Sequence, residues 1–257
     1  GRLGVQPDAL TKLMDNVITC KNLKINGLFT HLSSADEEDP ERTHRQISIF
    51  SNVLKKIHTT NFSKMISESD HILFHSANTA GLLRFPESRF DLVRPGISLF
   101  GSFPSPTVAS VFDSLTNENK ATKLRPVMNW KTKIIQIQTL RKGVPVSYGG
   151  RYVTKNDGTR IATIPVGYAD GLSRRLSNNM ELLVKETRVK QVGTICMDMC
   201  LIDITNLPDV TMGEEVVIFG SQGKGQIKVE ELATKADTIP YEILCGIGKR
   251  VPRIYIS

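Results

Sequence analysis

Ile25-Asn26-Gly27-Leu28-Phe29-Thr30-His31 decides the fold, because this short apolar run predicts a buried strand that ends in polar residues. A polar loop and a helix from about Pro40 follow it. The apolar residues on one face of that helix are Ile47, Phe50, Val53, Leu54 and Ile57. A second strand, Ile72-Leu73-Phe74-His75, and a third, Leu92-Val93-Arg94, come next. Strand and helix alternation of this kind predicts a parallel α/β layer.

A helix is also predicted before the first strand. Pro7 suits its first turn, and four apolar residues follow at helical spacing: Leu10, Leu13, Met14 and Val17. Three parallel strands can neither close a barrel nor hide their edges. We therefore expect sequence before Gly1 to complete this domain, and the absence of an initiator Met agrees with a cut there.

The pattern changes past Leu115, in the polar stretch Thr116-Asn117-Glu118-Asn119-Lys120. Strands with turn signals follow, at Val127 to Thr139, Arg160 to Val166, Leu182 to Lys185, Val189 to Ile204 and Glu215 to Phe219. Two short helices are predicted near Val229 to Ala236 and Tyr241 to Cys245. We place a domain boundary at about residue 118, so that residues 1–117 form the α/β part and residues 118–257 a mostly β part.

The composition excludes several classes of protein. A chain of 257 residues with 40% hydrophobic and 23% charged residues is globular, with one or two domains. No apolar run approaches a membrane span of about 18 residues. The net charge is +7, but scattered Lys and Arg residues do not predict nucleic-acid binding. Four sparse cysteines favour the cytoplasm, and Cys196 and Cys200 lack the second ligand pair that structural zinc needs, so no metal is expected.

Polar residues follow each predicted strand of the α/β part. They are His31 after the first strand, His75, Asn78 and Thr79 after the second, and Arg94, Gly96 and Ile97 after the third. Strand C-termini form the catalytic face of a βα barrel, and a glycine there lets backbone N–H groups approach a phosphate. Singly, such a residue is more often structural. Because all of them are predicted on the same face, a functional role and a structural role carry equal weight.

Glycine-containing strings mark the β part. Val146-Ser147-Tyr148-Gly149-Gly150 is by itself typical of a hairpin turn with a surface tyrosine, and Gly193-Thr194-Ile195-Cys196-Met197-Asp198-Met199 is a second such string. The run Gly220-Ser221-Gln222-Gly223-Lys224-Gly225 lacks the spacing and the following helix of a phosphate-binding P-loop. It predicts a loose hairpin.

Taken together, these strings resemble the alanine racemase family of fold-type III pyridoxal-phosphate enzymes, over essentially the whole chain. The stretches that carry the resemblance are Gly1-Arg2-Leu3-Gly4, Thr30-His31, Ala35-Asp36-Glu37, Ala77-Asn78-Thr79-Ala80, Val93-Arg94-Pro95-Gly96-Ile97, Ser147-Tyr148-Gly149, Gly167-Tyr168-Ala169-Asp170-Gly171, Cys196-Met197-Asp198 and Arg250-Val251-Pro252-Arg253. The resemblance implies an α/β fold, the C-terminal part of a (β/α)8 TIM-type barrel followed by a mostly β domain. It also implies a cytoplasmic homodimer whose sites are shared between subunits.

The implied reaction is the interconversion of L-alanine and D-alanine, which supplies D-alanine for peptidoglycan. Racemisation removes the Cα proton from one face and returns one on the other, so two acid/base groups must flank the substrate. In the family, one is the lysine that binds the cofactor and the other a tyrosine from the partner subunit, which Tyr148 matches. A phenol is almost fully protonated at neutral pH, so nearby positive charge must favour the phenolate. His31, lined up with Arg94 and His75, is the expected source.

The other implied roles concern the cofactor, pyridoxal 5'-phosphate, and the substrate. Arg94 should face the pyridine nitrogen and, staying protonated, keep that nitrogen largely unprotonated. This weakens the electron sink and limits side reactions such as transamination. The implied phosphate cradle is Thr79 with the backbone N–H groups of Gly96 and Ile97.

Four further residues are matched to substrate and cofactor contacts. Arg2 matches the arginine that touches the cofactor's phenolic oxygen and the substrate carboxylate, and the Met197 backbone N–H should reach that carboxylate from the partner subunit. Asp36 and Tyr168 match an entry corridor whose narrow gate favours a small side chain.

Two departures from the family pattern leave alternatives open. The cofactor lysine belongs to a motif that lies before Gly1, so it is not expected in this chain, and the carboxylated lysine that often steadies the arginine matched by Arg2 is lost with it. Lys249 stands where many members have a tyrosine at the phosphate, which a lysine can still meet as a point charge. The alternatives are a serine or broad-specificity racemase and a non-catalytic truncated homologue.

Overall fold

Two compact units make up the protein, whose computed structural model describes residues 1–59, 72–119 and 123–256. The first unit comprises Gly1–Leu99 and Pro104–Lys123, and the second comprises Phe100–Phe103 and Leu124–Ser257. The segment Phe100–Phe103 thus belongs to the second unit, although the chain on both sides of it belongs to the first. The domain boundary at about residue 118 stays a prediction, and Lys120 of the polar stretch there lies outside the described residues.

Helices and two parallel strands form the described part of the first unit. In chain order these are α1 (Leu10–Ile18), β1 (Gly27–Phe29), α2 (Glu41–Thr59), β2 (Leu73–His75), α3 (Thr79–Arg84) and α4 (Pro106–Asn119). Single 3-10 turns cover Pro7–Ala9, Pro86–Ser88 and Ile97–Phe100. Strands β1 and β2 are parallel, with Leu28 opposite Phe74 and Phe29 opposite His75. The prediction of α1, α2 and a parallel pair between helices is confirmed.

The core of this unit lies between the helices and one face of the strands. The buried side chains come from α1 and α2, and partly buried apolar residues of both strands pack on them: Met14, Phe50, Leu54 and Ile57, with Leu28 and Phe74. These positions follow the helical period that the sequence shows, so burial of one helix face is the physical reason for the pattern.

Two expectations about the strands were wrong. Phe29 is 62% exposed, so β1 is not a buried strand. Alternate side chains of a strand point to opposite faces, and Leu28, not Phe29, lies on the face packed against the helices. The predicted third strand at residues 92–94 is extended chain without a ladder. Asp91 N donates to Phe74 O and Arg94 N to Ala77 O, both at 2.9 Å, a spacing of three residues rather than two, and Pro95 has no N–H to donate.

Antiparallel strands dominate the second unit. They are β3 (Trp130–Lys133), β4 (Gln136–Leu140), β5 (Pro145–Val146), β6 (Tyr152–Val153), β7 (Thr159–Ile164), β8 (Glu181–Val184), β9 (Thr187–Val192), β10 (Cys200–Asp203), β11 (Glu215–Gln222) and β12 (Gly225–Ile227). The helices are α5 (Val229–Ala236) and α6 (Pro240–Gly246). An eight-stranded sheet runs in the order β12-β11-β8-β9-β10-β7-β4, with β3 paired to β11, while β5 and β6 form a separate hairpin.

Two predicted strands are each divided in the structure. The run Val127 to Thr139 becomes β3 and β4, because Ile134 N bonds to Glu214 O and Ile135 N to Thr163 O, so the chain changes neighbours there. The run Val189 to Ile204 becomes β9 and β10, with a loop between them. The predicted hairpin at Gly220–Gly225 is confirmed but is not loose, since Gln222 pairs with Gly225 across a two-residue turn. Among the described residues, no helix is long and apolar enough to cross a membrane.

Tyr152 fastens the β5–β6 hairpin to the sheet and makes the stability pH-dependent. Its hydroxyl donates to Asp203 Oδ2 on β10 at 3.1 Å, and burial followed by the Asp203 charge raises the pKa of Tyr152 to about 12. An unfolded tyrosine ionises near pH 10. The neutral phenol therefore favours the folded state below pH 10, and this contribution is lost as pH rises from about 10 to about 12.

We expect Tyr152→Phe to flatten the fall in unfolding free energy across this pH range. Urea unfolding at several pH values between about 9 and about 12 measures it. Tyr255→Phe is the matched control, because Tyr255 is almost fully exposed at the end of the chain. An unchanged slope in Tyr152→Phe would contradict the assignment of this titration to Tyr152.

Candidate active site

Arg94 is the centre of a polar cluster at the C-terminal ends of β1 and β2. Its Nη2 donates to the carbonyl oxygens of Thr30 and Ser76, each at 3.0 Å, and its Nη1 contacts His75 Nδ1. Both carbonyls come directly after a strand, so the backbone fixes the plane of the guanidinium group. A half-buried arginine held in this way is a rigid cation.

Phe29 supports this cluster from the same face of the strands. Its ring stacks on His75, with ring centroids 5.0 Å apart and planes 3° from parallel, and the Arg94 guanidinium lies 5.4 Å from its centroid. The register that places Phe29 beside His75 explains the stacking. Sequence reasoning missed Phe29, although its position two residues before His31 on a strand places both on one face.

The positive charge of the cluster lies on its arginines. Burial lowers the pKa of His31, and the charges of Arg94 and Arg2 lower it further. Burial and then Arg94 likewise lower the pKa of His75. Both shifts favour the neutral form of the imidazoles. That His31 brings positive charge to the site stays a prediction, which burial, and then the charges of Arg94 and Arg2, count against. The influence of Arg2 also places that exposed residue near His31.

The predicted phosphate cradle lies at the start of α3. Asn78 caps this helix by accepting from Gly81 N at 2.9 Å, and the next residue, Thr79, is buried. Thr79 Oγ1 accepts the N–H of Gly96 at 2.8 Å, which leaves the hydroxyl proton of Thr79 able to donate. Ile97 begins a 3-10 turn, where backbone N–H groups point outward. A hydroxyl and main-chain N–H groups are a donor set that fits a phosphate group.

Asp36 also belongs to the first unit. Its carbonyl oxygen accepts from Ser105 Oγ at 2.6 Å, and the neighbouring carbonyl of Ala35 accepts from Arg84 Nη1 at 2.8 Å. The backbone around Asp36 is therefore held in place, while its carboxylate makes no contribution to these bonds.

Tyr148 lies in the second unit, on a 3-10 turn between β5 and β6, and the residue is 72% exposed. Two side-chain bonds join this turn to the loop between β9 and β10. Ser147 Oγ donates to Thr194 O at 2.6 Å, and Thr194 Oγ1 donates to Tyr148 O at 2.8 Å. The backbone of the turn is thus fixed, although the phenol faces outward.

Met197, Tyr168 and Lys249 lie on three loops that are bonded together. Tyr168 N donates to Cys196 O at 3.1 Å and Ala169 N to Met197 O at 3.0 Å. Gly248 N donates to Asp170 O at 3.0 Å, beside the exposed Lys249. The second unit therefore brings together three of the predicted site residues, whereas Arg2, Asp36 and the predicted phosphate cradle belong to the first unit.

An arginine strengthens the same assembly. Arg250 bridges Asp170, at 3.3 Å from its Nε to Oδ1, and Asp198, at 2.7 Å from its Nη2 to Oδ1. Gly167 makes the close approach of these loops possible, since a Cβ there would lie 2.3 Å from the carbonyl oxygens of Cys196 and Met197.

Comparison with known proteins decides the family. The sequence profile described as "Alanine racemase, N-terminal domain" matches residues 1–104, and that described as "Alanine racemase, C-terminal domain" matches residues 127–255. The chain belongs to the alanine racemase family. One curated relative, an alanine racemase from Halothermothrix orenii, is 42% identical over 99% of this chain and 62% of the relative. Another, alanine racemase 2 from Caldanaerobacter subterraneus subsp. tengcongensis, is 38% identical over 100% of this chain and 62% of the relative.

Solved structures of alanine racemases match the whole chain. The enzyme from Bacillus anthracis with bound L-Ala-P is 34% identical, with a TM-score of 0.84, covering 100% of this chain and 62% of that one. The enzyme from Streptomyces lavendulae is 32% identical, with a TM-score of 0.85, covering 100% and 64%. The predicted fold class of a TIM-type barrel portion with a β-rich domain is confirmed. The chain spans about 62% of the length of the curated relatives it matches.

Several residues that support the alanine racemase motifs were missed. Thr194, Asp170 and Arg250 lay within quoted strings, but no role was predicted for them. Their partners are distant in sequence, as with Thr194 and Tyr148, which are 46 positions apart. Hydrogen bonds of this kind have no local sequence signal, because any Thr or Arg can make them only after the fold brings a partner close. Among the described residues, no cluster of His, Cys, Asp or Glu could hold a metal ion.

Proposed function

We propose that this protein interconverts L-alanine and D-alanine with pyridoxal phosphate, supplying D-alanine for peptidoglycan. One observation carries the proposal. The motif residues of the alanine racemase family fall into two ordered clusters, one around Arg94 in the first unit and one around Tyr148 and Met197 in the second. A reaction that needs a bound cofactor and an opposed acid/base group requires both.

The first unit would hold the cofactor. The Thr79 hydroxyl and the N–H groups of Gly96 and Ile97 would bind its phosphate, for which the Gly96 N–H must turn from Thr79 Oγ1 to the phosphate. Arg94, with His75 against it, would face the pyridine nitrogen. Because a guanidinium stays protonated, it donates to that nitrogen and does not protonate it. When bound, pyridoxal phosphate withdraws electrons from Cα of the amino acid and so acidifies its proton.

Tyr148 would move a proton at one face of Cα. Its exposed phenol suits a group that acts on a site of the partner subunit, so we propose a homodimer with shared sites. Met197 is 54% exposed. Its backbone N–H would bind the substrate carboxylate, and it belongs to the same subunit as Tyr148. The guanidinium of Arg94, with which His31 and His75 are lined up, would supply the positive charge that favours the phenolate.

The remaining assignments concern entry, specificity and location. Arg2 would touch the cofactor and the substrate carboxylate, and Lys249 would meet the phosphate as a point charge. Asp36 and Tyr168 would narrow the corridor toward small amino acids. The names of the relatives favour alanine over serine and a catalytic over a non-catalytic protein. All four cysteines are free thiols, which agrees with a reducing cytoplasm.

The direct test is a racemisation assay on the natural protein loaded with pyridoxal phosphate. We expect L-alanine to give an equal mixture of the two enantiomers, measured by chiral chromatography, and L-serine to react more slowly. Omission of the cofactor is the control. A cofactor-loaded protein that leaves alanine unchanged would refute the activity, and faster conversion of serine would refute the substrate.

A further inference from the structure

Two side chains join the Tyr148 turn to the Met197 loop by reciprocal hydrogen bonds. Ser147 donates to the carbonyl of Thr194 at 2.6 Å, and Thr194 donates to the carbonyl of Tyr148 at 2.8 Å. Thr194 is only 1% exposed, so the packing around it restricts the orientation of its hydroxyl group. We call this pair of bonds the Ser147–Thr194 clasp.

The backbone at the clasp adopts a conformation that needs such support. Ser147 has a φ of 64°, in the left-handed region that residues with a Cβ rarely adopt. Gly193 is the other close contact, because a Cβ there would lie 2.7 Å from Val146 O and 2.8 Å from Ser147 Cβ. The turn and the loop therefore also touch at Gly193, next to the hydrogen bonds.

The loop itself is fixed by the turn at Ser177 and Asn178. Gly193 N donates to Asn178 Oδ1 at 2.6 Å, and Ile195 N donates to Ser177 Oγ at 3.0 Å. Cys196 N then donates to Met199 O at 2.9 Å, which closes the segment containing Met197. Thr194 lies between these hydrogen bonds, so the clasp holds the Tyr148 turn against a loop that is itself fixed.

An exposed catalytic side chain takes its position from its backbone. Tyr148 is 72% exposed, whereas its carbonyl is held by a buried hydroxyl. We propose that Ser147 and Thr194 are positioning residues, which keep the Tyr148 phenol and the Met197 N–H at a fixed separation. This inference rests on the proposed racemase function, because that separation matters only if both groups act on one substrate.

Thr194→Val in the cofactor-loaded holoenzyme tests the role, since valine keeps the branched shape and loses the hydroxyl. Two rates are measured in D2O with D-alanine, namely racemisation and the exchange of the Cα proton with retention of configuration. In exchange, the C–H bond breaks toward the acid/base group opposite Tyr148, and a solvent deuteron returns from that same group. We expect racemisation to fall about 10-fold or more, because misplacement of a reacting group is costly, and exchange to change less than about twofold.

Thr194→Ser keeps the hydroxyl and is the matched control. We expect it to restore racemisation to within about twofold of the unsubstituted enzyme. An equal fall in both rates would show a merely structural role, and unchanged rates would show no role; either result overturns the inference. A Thr194→Ser variant as slow as Thr194→Val would overturn it as well.

A second measurement does not depend on activity. Backbone hydrogen exchange of the holoenzyme should become faster in Thr194→Val, in peptides that cover Ser147 to Arg151 and Thr194 to Met199, and remain unchanged in Thr194→Ser. Unaltered exchange at the turn would show that no clasp holds it. If the unsubstituted protein does not racemise alanine, the proposed function fails and the catalytic role of the clasp fails with it, while the exchange result still reports on the clasp itself.

Discussion

Replacement of Tyr148 by phenylalanine is expected to lower the racemisation rate by about 10²- to 10⁴-fold, the usual contribution of an acid/base group. The change removes the hydroxyl that would move the proton and keeps the ring. Since Tyr148 is 72% exposed, no packing should be lost, and unfolding midpoints should match those of the unsubstituted protein.

The assay that separates this loss from general damage again uses D-alanine in D2O. The acid/base group on the opposite face should still exchange the Cα proton of D-alanine with retention, so the ratio of exchange to racemisation should rise steeply. Tyr255→Phe, the same change at an almost fully exposed tyrosine, should alter neither rate. A Tyr148→Phe enzyme that racemises at the normal rate would remove Tyr148 from the reaction.

Gly167→Ala is expected to destabilise the second unit by about 2 to 3 kcal/mol, near the upper part of the range for added methyl groups in packed sites. A Cβ at this residue would lie 2.3 Å from two carbonyl oxygens, those of Cys196 and Met197. These are backbone atoms, so no side-chain rotation can relieve the overlap. The Met197 loop must move, and the KM for alanine should rise with it.

Urea unfolding and steady-state kinetics measure the two effects of Gly167→Ala. Gly246→Ala is the control, because the nearest atom to a Cβ there is Gly171 O at 3.9 Å, an ordinary contact. Equal stability of the two variants would mean that the loops separate without cost. A destabilised Gly167→Ala protein with an unchanged KM would show that the Met197 N–H does not bind the substrate.

Elements that repeat a local period were predictable. Helix α2 buries Ile47, Phe50, Leu54 and Ile57, which are spaced at the helical period in the sequence. Helices α5 and α6 were likewise placed correctly, because their boundaries carry local signals such as Pro240. The sequence also marked Thr79 and Arg94 as polar residues at the ends of short apolar runs, and their roles in the site stay predictions.

Elements that depend on a neighbour were not predictable. Residues 92–94 have the apolar composition of a strand, but their hydrogen bonds to the chain beside β2 do not form a ladder. The single predicted strands at Val127 to Thr139 and Val189 to Ile204 are interrupted where the chain changes partner or leaves the sheet. A strand forms hydrogen bonds to another segment of the chain, and a local sequence pattern does not show which segment that is.

The sequence by itself determined the family and the chemical groups available to the site, because side-chain type and short-range order are properties of the chain alone. Only the tertiary structure decided how those groups behave. It buries part of both imidazoles and places Arg94 against His75 and near His31, so that burial and the guanidinium charge lower the pKa of each histidine. It also places the Thr194 hydroxyl under the Tyr148 turn. Burial, proximity of charge and hydrogen bonding arise only when distant segments pack together, and these three set protonation and position.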